Sequence, residues 1–223
     1  MLTIVIPTLD AAGALPATLA ALADAPPGSE ILVVDGGSRD ATPAIAARGG
    51  CRVITAARGR GPQLAAGADA AAGEWLLFLH ADTRPAPGWP AAVAAFVAQS
   101  GDGARAGYFR FALDDDAAAA RRLERAVAWR CRRLALPYGD QGLLVHRALY
   151  RAIGGYRPLV LMEDVDIVRR LGRERLRPIA HDAVTSAERW RRQGYLRRSA
   201  RNLACLGAWY LGVDPARIAR FYG

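Results

Sequence analysis

Lysine is absent from this chain of 223 residues: all 30 basic side chains are arginine. That excludes a Schiff-base lysine and the lysine of a phosphate-binding P-loop. Cysteine is scarce as well. Cys51, Cys131 and Cys205 are odd in number and too widely spaced for a disulfide framework or a zinc site, so they read as small buried hydrophobes in a reducing compartment. No apolar run approaches the roughly 20 residues needed to span a bilayer. The run Leu2 to Ile6 is too short for a signal peptide, and no basic segment precedes it. These absences lead us to expect a cytoplasmic protein. What is present is a globular composition, 52% apolar with a mean hydropathy of +0.05, and a net charge of +9 that calls for an anionic partner. Nucleotide phosphates, nucleic acid and anionic lipid all satisfy that demand. The length fits one domain with a sizeable core, and neither an internal repeat nor a dividing linker interrupts it.

Apolar runs and breakers predict strands at Leu2 to Ile6, Glu30 to Asp35, Arg52 to Ile54 and Trp75 to Leu79. Helical segments from Leu15 to Leu22, Asp40 to Ala47 and Gln63 to Ala72 alternate with them. This order specifies an α/β fold with a mostly parallel, doubly wound sheet. Further on, Ala106 to Leu113 and Leu143 to Val145 read as strands, and the segment beyond Pro90 to about Gln99, Arg147 to Ile153 and Glu163 to Leu171 as helices. Asp114 to Leu136 reads as one long helix with its acids at the start, the arrangement a helix dipole favours. We expect a single domain over residues 1–223, with a nucleotide-binding half to residue 90, an acceptor and catalytic half over 91–180, and a basic amphipathic segment over 181–223.

The strand Trp75 to Leu79 ends in His80-Ala81-Asp82. The carboxyl ends of parallel strands are where open α/β sheets hold ligands, and alternate residues of a strand share a face. His80 and Asp82 are therefore candidate metal ligands, although an isolated H-x-D more often closes a turn. Carboxylates also end other apolar segments, at Asp35 and at Glu163-Asp164. Arg58 and Arg60, set among glycines, are suited to clamping phosphate oxygens or to forming a solvated basic loop. Asp140 and Gln141 sit between two glycines, where they either read sugar hydroxyls or make a turn.

Taken together, this order resembles the family 2 glycosyltransferases over about residues 2 to 175. The resemblance rests on Ile4-Val5-Ile6-Pro7-Thr8, on Asp35-Gly36-Gly37-Ser38-Arg39-Asp40, on the strand ending at Asp82, on Gly154-Gly155-Tyr156 and on Glu163-Asp164. Leu79 to Thr83 (LHADT) and Gly139 to Gly142 (GDQG) are similar to a small, soluble bacterial branch of that family. The resemblance implies the type A nucleotide-sugar-binding fold and inverting transfer from a UDP- or GDP-sugar to an acceptor hydroxyl. It further implies donor contacts at Pro7, Thr8, Asp10, Asp35, Arg58, Arg60, Ala81, Asp140 and Gln141, and a divalent Mn2+ or Mg2+ held by Asp82 with His80. Asp164 is the expected base, with Glu163 the alternative, because neighbours on a helix point in different directions.

Two departures from the family pattern stand out. His80 replaces the usual first aspartate of the D-x-D motif, and Asp10-Ala11 replaces the usual asparagine-glutamate pair. His181 is a further candidate late metal ligand. The C-terminal arginines and aromatics, from Arg189 to Tyr210, suit three roles: a peripheral contact with the inner membrane face that presents a lipid-linked acceptor, a cover for the acceptor cleft, or a dimer contact. No nucleic-acid-binding motif accompanies them. Two rival readings are a nucleotidyltransferase on a related sheet and a non-catalytic basic binding protein.

Overall fold

The computed structural model describes residues 1–222; Gly223, the last residue of the expected C-terminal segment, lies outside them. The first part of the chain runs β1 (Leu2–Thr8), α1 (Leu15–Ala21), β2 (Glu30–Asp35), α2 (Thr42–Arg48), β3 (Arg52–Thr55), α3 (Arg60–Ala70) and β4 (Trp75–Phe78). These strands are parallel: β1 pairs with β2 on one side and β4 on the other, and β2 pairs with β3. Strand order therefore reverses at β1, which opens a crevice beyond the carboxyl ends of β1 and β4.

The second part runs β5 (Thr83–Pro85), α4 (Trp89–Ser100), β6 (Ala106–Leu113), α5 (Ala118–Leu134), a single 3₁₀ turn at Gly139–Gln141, β7 (Leu143–His146), α6 (Arg147–Ala152), α7 (Glu163–Leu171) and β8 (Leu176–Thr185). Three helices follow, α8 (Glu188–Gln193), α9 (Tyr195–Tyr210) and α10 (Pro215–Tyr222). The described strands form one sheet in the order β3-β2-β1-β4-β7-β6-β8-β5. Its second half is mixed: β7 runs antiparallel to β4 and β6, β6 is parallel to β8, and β5 is antiparallel to β8. The sheet curls, so β5, which leaves β4 after four residues, sits at the far edge yet packs near α1.

Side-chain alternation along the strands builds a core on each face. Val5, Leu32, Val34, Leu76 and Phe78 join one cluster, and Ile4, Ile6, Val33, Leu77 and Leu79 the other. Helices cover both faces, as the near-continuous apolar strands require. Gln63, buried in α3, fastens the strand ends by donating from Nε2 to the carbonyls of Thr8 and Val34, each at 2.7 Å.

Two expectations differ from this outcome. Helix α5 begins at Ala118 and not at Asp114, because the acids before it have other partners. Asp114 accepts from the Ala187 amide at 2.6 Å and pairs with Arg84 at 3.0 Å, while Asp115 accepts from the Ala117 amide at 2.9 Å and the Tyr195 hydroxyl at 2.8 Å. Strand β8 has no counterpart in the sequence reading. Pro178 argues against a strand there, and the pairing tolerates it through a register shift opposite Tyr108 to Arg110.

Candidate active site

Two joined clefts lie at the carboxyl ends of the strands. The larger, of about 820 Å³, is walled by Pro7 and Thr8 at the end of β1, by Asp10 and Ala11 of the β1–α1 loop, by Arg58 and Arg60, and by Ala81 and Asp82. The smaller, of about 120 Å³, lies among Tyr138, Asp140, Asp164, Trp190, Arg198 and Asn202. Arg60, His80, Asp82, Ser186 and Arg189 line both and so mark their junction.

On the larger side, the loop after β2 is zipped to the loop after β1. The Asp10 amide donates to Ser38 Oγ at 2.9 Å, and Asp10 Oδ1 accepts from the Arg39 amide at 2.7 Å. Asp10 adopts a left-handed backbone (φ 49°), which a short polar side chain with local partners tolerates. Asp40 completes the zip by accepting from the Ala12 amide at 3.0 Å and from Thr42. Asp35, expected to contact the donor, lies behind this wall. Its carboxylate accepts from the Gly37 and Ser38 amides, each at 2.9 Å, and from the Ser38 and Thr8 hydroxyls. Burial alone would raise its pKa, but those hydrogen bonds outweigh burial and hold the carboxyl below its ordinary value. Asp35 therefore shapes the loop.

At the junction, His80 is half-buried and its ring lies against Gly139. A Cβ on Gly139 would stand 2.4 Å from His80 Nε2, so only glycine fits there. Desolvation, reinforced by Arg60 and opposed by Asp82 and Asp164, pushes the His80 pKa down to about 4 and leaves the imidazole neutral at ordinary pH. The Gly139 amide in turn donates to Asp164 Oδ2 at 2.9 Å, so one turn ties the end of β4 to the start of α7.

Asp164 and Glu163, adjacent at that helix start, have different surroundings. Asp164 lines the smaller cleft and also accepts from the Val165 amide at 2.7 Å. The Glu163 side chain is fully buried and pairs with Arg60 Nε at 2.8 Å. Burial pushes its pKa up to about 7, with the Arg60 guanidinium opposing and Asp164 assisting. The residue before them, Met162, is held at φ 65°, a left-handed conformation that a long apolar side chain rarely adopts. Asp140 also lines the smaller cleft. Its Oδ1 is buried without a hydrogen-bond partner among the described residues, and burial lifts its pKa to about 6, with Arg130 opposing and Asp164 and Asp82 contributing.

Gln141 is not among the residues that line either cleft. It is buried, donates to the Phe109 carbonyl at 2.9 Å and accepts from Arg130 at 3.1 Å, which fixes the 3₁₀ turn from behind. His181 is likewise remote from the junction: its Nε2 lies 2.9 Å from the Ala86 carbonyl. The sequence reading missed Tyr138, Ser186 and Asn202 as lining residues. Ser186 follows the unforeseen strand β8. From the C-terminal segment, Arg189, Trp190, Arg198 and Asn202 line the smaller cleft.

The curled α/β sheet with its strand-end cleft is the GT-A fold. The description "Glycosyl transferase family 2" fits residues 3–152, and the chain belongs to that family. It is thus an enzyme, which sets aside the binding-protein reading. No curated protein sequence matches the chain. Among solved structures, S. aureus TarS 1–349 superposes with a TM-score of 0.65 at 14% identity, covering 99% of this chain and 69% of that one. The same protein in complex with UDP-GlcNAc gives 0.64 at 16% identity, over 83% and 58% of the two chains. Glucosyl-3-phosphoglycerate synthase from Mycobacterium tuberculosis, in complex with Mn2+, UDP and glucosyl-3-phosphoglycerate, gives 0.58 at 19% identity, over 91% and 78%. At such identities the likeness is one of fold.

Proposed function

We propose that this enzyme is an inverting glycosyltransferase that moves a sugar from a UDP- or GDP-sugar to an acceptor hydroxyl. One observation carries the reading. Asp164 lines the smaller cleft with its orientation fixed by two amides, while its neighbour Glu163 is buried. Inversion is a single displacement, so a carboxylate must take the hydroxyl proton on the side opposite the leaving group. An ionised carboxylate has about four acceptor sites, so the bonds from Gly139 and Val165 leave Asp164 free to accept that proton.

The larger cleft takes the nucleotide. Pro7, Thr8 and Asp10 form its wall, Ala81 its floor, and Arg58 and Arg60 meet the diphosphate with guanidinium forks suited to phosphate oxygens. The structural neighbours support this class of donor, since TarS was solved with UDP-GlcNAc and with UDP, and the synthase with UDP.

The residues at the junction also fit a divalent cation. Asp82, with neutral His80, would hold it, and the unpartnered buried Oδ1 of Asp140 in the same cleft favours a cation nearby. Among the described residues no three His, Cys, Asp or Glu side chains gather closely enough to cage an ion alone. That suits a hard ion which takes most of its ligands from phosphates and water. When bound, it would neutralise charge developing on the departing diphosphate.

Calorimetric titration of the protein with UDP and GDP, with and without Mn2+, tests the reading. We expect one nucleotide to bind and to bind more tightly with the metal. Absence of binding by either nucleotide in both conditions would overturn it.

A further inference from the structure

Helix α9 has two working faces. Arg198 and Cys205 are buried on its inner face, and Arg198 and Asn202 line the smaller cleft. On its outer face Leu196 and Leu203 stand seven residues apart, with Ala200 and Gly207 alongside and Leu211 just past the helix end. This outer stripe is bare: Leu196 is 88% exposed, Leu203 66% and Leu211 87%. Phe221, on the following α10, adds another exposed apolar side chain. Scattered exposed hydrophobes need no explanation, but an aligned stripe on one helix does.

The charge around the stripe selects its partner. Between Arg189 and Val213 no acidic residue occurs; of the six arginines in that span, Arg189 and Arg198 line the smaller cleft, which leaves Arg191, Arg192, Arg197 and Arg201 outside it. Arg191, Arg192 and Arg197 are exposed. A second copy of this face would bring like charges together around the contact. A partner that is both apolar and negative satisfies the whole surface, and arginine stems can lie along apolar matter while their heads reach phosphate. Among the described residues no helix is long and apolar enough to cross a membrane, so the contact is one that lies along the interface.

We propose that the outer face of α9 docks on an anionic membrane surface. Docking puts the smaller cleft, walled by the inner face of the same helix, about one helix diameter, roughly 10 Å, from the headgroups. An acceptor anchored in the bilayer would then reach Asp164 without leaving the membrane.

The test uses the full chain and vesicle flotation, which need neither donor nor metal, so the outcome is independent of the transferase reading. We expect binding to vesicles of mixed phosphatidylcholine and phosphatidylglycerol, little binding to phosphatidylcholine alone, and weakening by salt. Leu196→Ser with Leu203→Ser and Leu211→Ser should weaken binding by roughly ten-fold or more, and Arg192→Gln with Arg197→Gln by about five-fold for each arginine removed. All five positions are exposed, and an unchanged thermal unfolding transition checks that the variants fold. Failure of the native protein to bind acidic vesicles overturns the proposal, as does a serine variant that binds undiminished. A stable dimer that the serine substitutions dissociate would also overturn it, by assigning the stripe to a second copy.

Discussion

Glu163 and Asp164 show how one step along a helix divides two chemically similar residues. The step turns the side chain by about 100°. It takes Glu163 into the interior against Arg60 and leaves Asp164 at the cleft. Asp164→Asn keeps the shape and one of the two Oδ acceptors but removes the proton acceptor, so turnover should fall by about 10²–10⁴-fold while nucleotide affinity stays within about two-fold. Steady-state kinetics and calorimetry on the same preparation would check this, and unchanged turnover would transfer the base role elsewhere. The sequence distinguished these two residues only as alternatives, because burial depends on what packs over the helix start. It could not separate Asp35 from Asp82 either. Both end apolar strands, but Asp35 meets the donors of its own Gly-Gly-Ser turn, whereas Asp82 meets the cleft.

At the scale of the element, α7 is the part of the site that responds to pH. In the unfolded chain the Glu163 carboxyl titrates near 4.5, and in the folded protein at about 7. Between those values the folded state holds a proton that the unfolded state has lost, so this group's contribution to stability declines as pH rises across the window. Asp140 acts in the same direction between 3.8 and about 6. His80 opposes both, because its pKa falls from 6.5 to about 4 and its contribution grows as pH rises through that range. Glu163→Gln removes one of these titrations. Its stability relative to the native protein should improve by up to about 3 kcal/mol between pH 4.5 and 7.5 in urea unfolding. A pH-independent difference would mean that Glu163 is not held protonated. The strands β1 to β4 were legible because continuous Val, Ile and Leu runs signal a parallel sheet buried on both faces. Strand β8 was not, since its exposed Arg177, Pro178 and Ala180 blur any period and its pairing depends on a bulge.

At the scale of the whole molecule, the resemblance of separate short motifs conveyed the architecture well. It conveyed the C-terminal wall poorly, because Trp190, Arg198 and Asn202 enter the site through packing of α8 and α9 rather than through any motif. A chain cut after Leu171 should therefore lack a cooperative unfolding transition by calorimetry, since β6 would lose its parallel neighbour and β5 its pairing with β8. A normal transition in the truncated chain would mean that the first half folds unaided. The tether between β4 and β5 gives the curled sheet a temporal meaning. Leu79 to Asp82 joins a strand that pairs with β1, early in the chain, to one that must wait for Thr185. During synthesis the first strands can associate while this short segment still has one unfixed end, so the site's central residues are among the last to acquire their geometry. A nascent chain thus carries the parallel half of its sheet well before the cleft at the strand ends is complete.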